Sequence, residues 1–290
     1  MKVSGFTFIK NAMIYDYPVV EAIRSVLPLC DEFVVAVGKS DDDTYQLINA
    51  IDKHKIKIIE TVWDETMREG GRVLAQETNK AFTAIPGDSD WAFYIQGDEA
   101  VHEKYLDIIH QSMVKYKDKK EVDGLLFKYR HFYGSYDYVG ASPKWYKHEI
   151  RIIKNDKSIY SFRDAQGFRK DNNQLLRVKP VDAYIYHYGW VKEPEAMQRK
   201  QENFNKYWHD DNWVERHIEK TEKFDYSKNP DFLVPFTETH PKVMEDRIKA
   251  KNWKFDYDQS FDHRSFKSRM KSMLEKHLGL DFSYKNYKII

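Results

Sequence analysis

The chain of 290 residues carries one cysteine, Cys30, which excludes an internal disulfide framework and a cysteine-based zinc site. Cys30 follows the apolar helical pattern ending in Pro28-Leu29, so a buried, inert thiol is expected rather than a nucleophile. No apolar run approaches the roughly 20 residues of a membrane-spanning helix. An excess of one charge sign is missing as well. Lys and Arg number 47 against 46 Asp and Glu, a net of +1, which leaves no global field to attract nucleic acid or an anionic membrane. Internal repeats and low-complexity linkers are lacking too. The first six residues lead straight into a strand pattern with no signal peptide ahead of them, and a soluble protein of a reducing, cytoplasmic compartment is expected.

What is present is globular: 41% hydrophobic and 15% aromatic residues, in a chain long enough for one large core or two small ones. A chain of this size hides roughly 75% of its unfolded surface. The first half alternates two periodicities. Residues 3–9, 32–37, 56–62 and 91–96 are short, apolar and β-branched or aromatic, as strands are. Between them, Val19, Ala22, Ile23, Val26 and Leu27 recur at helical spacing after Pro18, as do Leu74, Thr78, Ala81, Phe82 and Ile85 after Gly70-Gly71. Such βαβα alternation predicts a mostly parallel sheet with helices on both faces. Right-handed crossovers then gather the strand C-termini on one edge. Beyond residue 120, segments 123–133, 149–154, 158–162 and 183–188 read as strands without long helices between them, an antiparallel extension of the sheet. A charged helix is expected over 193–208 and a basic amphipathic one near 264–278.

The run Trp91-Ala92-Phe93-Tyr94-Ile95-Gln96-Gly97-Asp98-Glu99 is a buried-strand pattern that stops on two carboxylates. At the rim where open α/β sheets place their ligands, Asp98 and Glu99 suit a hard divalent cation, which in turn holds a diphosphate. The same edge should receive Lys10 and Asn11, the turn 38–43 with three carboxylates, and Trp63, Asp64 and Glu65 with the Gly70-Gly71-Arg72 turn. The late strand ends on Tyr186-His187-Tyr188-Gly189.

In order and spacing these segments resemble a family 2 glycosyltransferase of the GT-A fold, over roughly residues 3–210. Phe6-Thr7-Phe8-Ile9-Lys10-Asn11 is similar to the family's opening strand, and residues 31–44 to its second strand and acidic nucleotide-binding turn. Gln96-Gly97-Asp98-Glu99 stands at its metal-binding motif, and Glu149-Ile150-Arg151 and Tyr186-His187-Tyr188-Gly189 at two later landmarks. The resemblance implies a GT-A (Rossmann-like) α/β fold and transfer of a sugar from a nucleotide-diphospho-sugar donor with Mn²⁺ or Mg²⁺. It assigns donor contacts to Asn11, Lys39, Asp41, Asp43, Arg72 and Gln96, and the metal to Asp98 and Glu99 with His187. The family's first acidic position is Gln96 here, and its usual Asp at the end of the second strand is Gly38.

An inverting transfer needs a carboxylate base beside the acceptor hydroxyl. Asp164, in Ser161-Phe162-Arg163-Asp164-Ala165-Gln166-Gly167, stands where many relatives carry a His-Glu pair and is the first candidate. Glu149 and Asp137 follow it. The aromatic, cationic stretch 128–138 with Trp145-Tyr146 fits a sugar acceptor, whether glycan, glycolipid or glycoprotein, better than nucleic acid at this net charge. Residues 1–225 are expected to form the transferase domain, with 1–120 as the nucleotide-sugar half and 121–225 as the acceptor half. A mostly helical extension should follow over 226–290. Its basic helix is expected to close the core with a solvated cationic face, and peripheral membrane contact is the alternative for it. The alternative function is a GT-A-like sugar or nucleotide-sugar binder without turnover, which Gln96, Gly38 and the missing His-Glu pair favour.

Overall fold

In the computed structural model, which describes residues 1–228, 232–258, 264–278 and 285–290, the first half alternates as the sequence predicts. The strands and helices run β1 (Val3–Ile9), α1 (Val19–Val26), β2 (Glu32–Gly38), α2 (Thr44–Asn49), β3 (Ile56–Thr61), α3 (Arg72–Thr83) and β4 (Trp91–Tyr94). The short β5 (Glu99–Val101) and α4 (Leu106–Tyr116) complete it. Strands β3, β2, β1 and β4 lie side by side and parallel. Burial along β2 shows why. Phe33, Val35 and Val37 join one apolar cluster with α1 and α4, while Val34 and Ala36 join another with Ala81 and Phe82 of α3. A strand covered on both faces reads as a continuous apolar run. Cys30 is buried, and burial pushes its thiol up to about 12, so it is inert as expected.

The second half contributes β6 (Gly124–Tyr133), β7 (Tyr138–Gly140), β8 (His148–Lys154), β9 (Ile159–Phe162), β10 (Gly167–Lys170) and the 17-residue β11 (Gln174–Trp190). Strand β8 runs antiparallel to both β4 and β6 and so reverses the sheet. Within this extension β6 and β11 are parallel. The short strand β5 returns along β11 in antiparallel register, with His187 opposite Glu99. Then follow α5 (Pro194–Phe204), α6 (Asp211–His217), β12 (Leu233–Pro235), α7 (Glu245–Lys249), α8 (Phe266–Leu278) and β13 (Tyr287–Ile289).

The C-terminal segment expected to be mostly helical also supplies two strands: β12 pairs with β7, and β13 runs parallel to β11. Helix α8 departs further from expectation. Phe266, Met270 and Met273 lie exposed on it, Phe266 at 81%, so this stripe does not close the core. The two main clusters are already covered by α1, α3 and α4. No helix among the described residues is long and apolar enough to cross a membrane.

Candidate active site

The C-terminal ends of β1 and β4, the residues after β3, the turn between β9 and β10, the end of β11 and the last turns of α5 surround one cavity of about 510 Å³. That volume suits a small-molecule ligand. The cavity lies at the predicted sheet edge.

Asp98 and His187 meet in it. The β5–β11 register sets Glu99 against His187, and the Tyr188 amide donates to the Asp98 carbonyl at 2.7 Å. His187 Nε2 then stands 3.7 Å from Asp98 Oδ1. Lys200 Nζ donates to Asp98 Oδ2 at 3.3 Å and to the Gly189 carbonyl at 2.9 Å. Burial works to raise the Asp98 carboxyl, but Lys200, His187 and Lys192 outweigh it and hold the group at about 2. It is an anion at any physiological pH. Gly189 keeps this corner open: a Cβ there would sit 2.7 Å from His187 Nε2 and 2.8 Å from Asp98 Oδ2. Among the described residues no group of three or more His, Cys, Asp or Glu side chains could hold a metal ion. Asp98 and His187 offer two donor atoms beside a space that any side chain would fill, so a divalent cation here would need its remaining ligands from substrate and water oxygens. Imidazole in the set suits Mn²⁺ better than Mg²⁺.

Glu99, expected as a second metal ligand, is committed elsewhere. Arg151 donates to its two carboxylate oxygens at 2.7 and 2.8 Å, the Tyr129 hydroxyl donates at 2.7 Å, and the Gln96 amide at 3.1 Å. Neither Glu99 nor Arg151 has side-chain surface exposed. Asp98, in the turn between β4 and β5, faces the cavity, while Glu99, the first residue of β5, faces the sheet interior.

Asp164 lines the cavity and also a second crevice of about 420 Å³ that it shares with Arg72, Arg163 and Trp208. It sits between two residues with left-handed backbone, Arg163 at φ 55° and Ala165 at φ 62°. Such conformations cost of order 1 kcal/mol or more each and persist where the surroundings impose them. Here the Ala165 carbonyl accepts from Gln96 Nε2 at 3.1 Å, and the Ala165 side chain is buried with Trp63, Val73 and Leu74. Gln96 thus ties the end of β4 to the Asp164 turn. Burial raises the Asp164 carboxyl above its ordinary value, toward the range useful to a base. Glu149 lies deeper. Gln166, a cavity-lining residue, donates to its Oε1 at 2.7 Å, and Glu149 Oε2 is buried with no hydrogen-bond partner among the described residues. Burial pushes the Glu149 carboxyl up to about 8. Asp137 is far more exposed and accepts from Ser135 Oγ at 2.8 Å.

The turn after β2 is placed beside the cavity, not in it. Asn11, at φ 52°, accepts from the Asp41 amide at 2.8 Å and donates to Asp41 Oδ2 at 3.3 Å. Lys39, Asp41 and Asp43 are exposed and do not line the cavity. The glycine at position 38, where the resemblance leads one to expect an acid, has a physical reason: a Cβ there would come within 2.4 Å of Trp63 Nε1. The Trp63 indole, packed against Phe8 and Tyr207, fills the space in which an acidic side chain would stand. The structure therefore brings Gln96, Asp98, His187 and Asp164 to one cavity and Arg72 to the adjoining crevice. It leaves Asn11, Lys39, Asp41, Asp43, Glu99 and Glu149 outside.

Sequence reasoning missed Lys200 and His131. Lys200 carried a signal, because Ala196, Met197 and Lys200 share the buried face of α5. A lysine on an apolar helix face needs a counter-charge. His131 carried none, since its partner is set by strand register.

No protein-family model and no curated protein sequence matches the chain. Its fold is similar to solved structures at low identity. S. aureus TarS shares 17% identity over 70% of this chain and 38% of that one, with a TM-score of 0.44. This chain thus spans well under half of that protein. Glucosyl-3-phosphoglycerate synthase from Mycobacterium tuberculosis, in complex with Mn²⁺, UDP and glucosyl-3-phosphoglycerate, shares 16% over 46% of this chain and 45% of that one, at a TM-score of 0.31. A 4-diphosphocytidyl-2C-methyl-D-erythritol synthase from Anaerococcus prevotii shares 13% over 66% and 89%, at 0.38. The activities in these names belong to those proteins.

Proposed function

We propose that this protein is a glycosyltransferase that moves a sugar from a nucleotide-diphospho-sugar to a hydroxyl of a glycan or glycoconjugate, with inversion. The observation that carries the reading is the pairing of Asp98 with His187 Nε2 in a ligand-sized cavity whose wall also bears Asp164. Asp98 and His187 would hold Mn²⁺ or Mg²⁺, which offsets charge on a leaving diphosphate. Lys200 and Lys10 add cationic groups along the same wall. Asp164 takes the proton of the acceptor hydroxyl as its oxygen bonds the anomeric carbon and the bond from that carbon to the diphosphate breaks. The crevice holding Arg72 and Arg163 receives the acceptor. Residues 1–120 then carry most of the donor side, completed by His187 and Lys200, and residues 121–225 most of the acceptor side, completed by Arg72. Asn11 and Asp41 shape the donor loop.

A binder without turnover is the second reading, favoured by the Lys200 ammonium already resting on Asp98 and by the engagement of Glu99 with Arg151.

Calorimetry with UDP and GDP, each with and without Mn²⁺, tests the proposal. Metal-dependent binding of one nucleotide, abolished by Asp98→Ala, is expected, followed by transfer from the matching sugar nucleotides. No binding by folded protein under any of these conditions sinks it. Binding of the nucleotide-sugar with no turnover across a range of acceptors favours the second reading.

A further inference from the structure

His187 is not the only imidazole in its layer. The parallel register of β6 and β11 pairs it with His131, and the two Nδ1 atoms lie 3.1 Å apart. The other nitrogen of His131, Nε2, lies 2.8 Å from the Tyr146 carbonyl. A carbonyl oxygen only accepts, so His131 Nε2 carries the hydrogen. His131 is 2% exposed. Its ring is stacked on Tyr129 and Trp145 and meets Tyr146 edge-on. Buried, with no carboxylate on either nitrogen to balance a positive charge, the ring is held in its neutral form, and with the hydrogen on Nε2 its Nδ1 is a bare acceptor. The hydrogen shared between the two rings must then belong to His187 Nδ1. A neutral His187 with its hydrogen on Nδ1 has a lone pair on Nε2, the nitrogen that stands 3.7 Å from Asp98 Oδ1 beside the space kept by Gly189.

We infer that His131 is a positioning residue that fixes the tautomer of His187, so that Nε2 faces the Asp98 corner as a ready-made donor to a divalent cation. The chain Tyr146 C=O, His131, His187 is a relay of hydrogen-bond direction. A neutral histidine side chain in water favours the opposite form, with the hydrogen on Nε2, which would turn an N–H toward the cation. Outer hydrogen bonds that set the ring and tautomer of a ligating histidine are worth about 10–100-fold in metal affinity. The tautomer itself stands on the hydrogen bonds alone. Its consequence for a cation rests on the proposed function above.

Two measurements test this separately. Long-range ¹H–¹⁵N correlation of protein labelled with ¹⁵N-histidine, without metal, reads the tautomer, with His187→Gln giving the assignment. The wild type is expected to show His187 protonated at Nδ1 and bare at Nε2. His131→Phe, which keeps a stacked ring but removes the acceptor, should lose that signature. Mn²⁺ binding followed by electron paramagnetic resonance should weaken 10–100-fold in His131→Phe. It should recover in His131→Asn, whose side-chain oxygen can accept in place of Nδ1. Circular dichroism and a thermal melt establish that each variant is folded. An Nε2–H form in the wild type, or a folded His131→Phe that binds Mn²⁺ as the wild type does, overturns the inference. A wild type with the expected Nδ1–H form that binds no Mn²⁺, with or without UDP, overturns the cation reading of the site and supports the relay alone.

Discussion

Arg151 grips Glu99 at two points, through Nε and one terminal nitrogen, at 2.8 and 2.7 Å, and neither side chain reaches solvent. The guanidinium also lies 5.2 Å from the ring centres of Tyr94 and Tyr129. Glu99 opens β5 directly after the turn that carries Asp98, and Arg151 stands on β8, so the pair ties that turn to the sheet.

Removing one partner leaves the other charged and buried, which costs about 3–5 kcal/mol. Glu99→Ala and Arg151→Met are each expected to lower stability by that order, read from the midpoint of urea unfolding. A loss under about 1 kcal/mol in both would mean that the pair does not brace the sheet.

Glu149 makes stability depend on pH. Its folded value of about 8 lies above the roughly 4.3 of an unfolded glutamate. The contribution is complete below the unfolded value and is lost as pH rises toward and through 8. The loss amounts to at most about 5 kcal/mol. Glu149→Gln, which keeps the shape and never ionises, should flatten the decline between pH 5 and 8 in chemical denaturation. Parallel curves for the two proteins would show that Glu149 is ionised at neutral pH in the fold.

Introducing an acid at the end of β2 should harm the protein. Gly38→Asp places its Cβ within 2.4 Å of Trp63 Nε1, and overpacking of a closed core costs about 1–3 kcal/mol. The expected result is a lowered melting temperature with a shifted tryptophan emission, and no gain in nucleotide affinity. Tighter nucleotide binding with an unchanged melt would show that the indole yields freely.

The corner beside Asp98 should respond in opposite directions to two substitutions. Gly189→Ala fills it and is expected to abolish Mn²⁺ binding and to lower the melting temperature, since its Cβ would stand 2.7 Å from His187 Nε2. Lys200→Met removes the ammonium that competes for Asp98 Oδ2, and Mn²⁺ binding without nucleotide should tighten several-fold. It should also raise the Asp98 carboxyl. The depressed value of about 2 contributes stability above the unfolded value near 3.9, lost as pH falls through 2, so the variant should lose this acid-limb dependence. Weaker Mn²⁺ binding in Lys200→Met would instead make the lysine part of the cation's support.

Much of this was local and therefore legible. Alternating apolar runs and helical spacing announced the parallel sheet, because each pattern reports which faces of an element are buried. The strand that ends in Gly97-Asp98 and the histidine at 187 could be placed at one edge from element order alone. Partnerships were not legible. Nothing near Glu99 in sequence says that Arg151, 52 positions away, takes both its oxygens. Nothing near His187 names His131, and the parallel register of β6 on β11 alone brings the two rings together. The tertiary structure decided these matters, along with the Trp63 ring that makes position 38 a glycine and the exposed apolar stripe of α8. The reason is physical: local patterns fix the kind of element and its buried face, whereas the charge, tautomer and free space at a site depend on groups that strand register and helix docking bring together from distant parts of the chain.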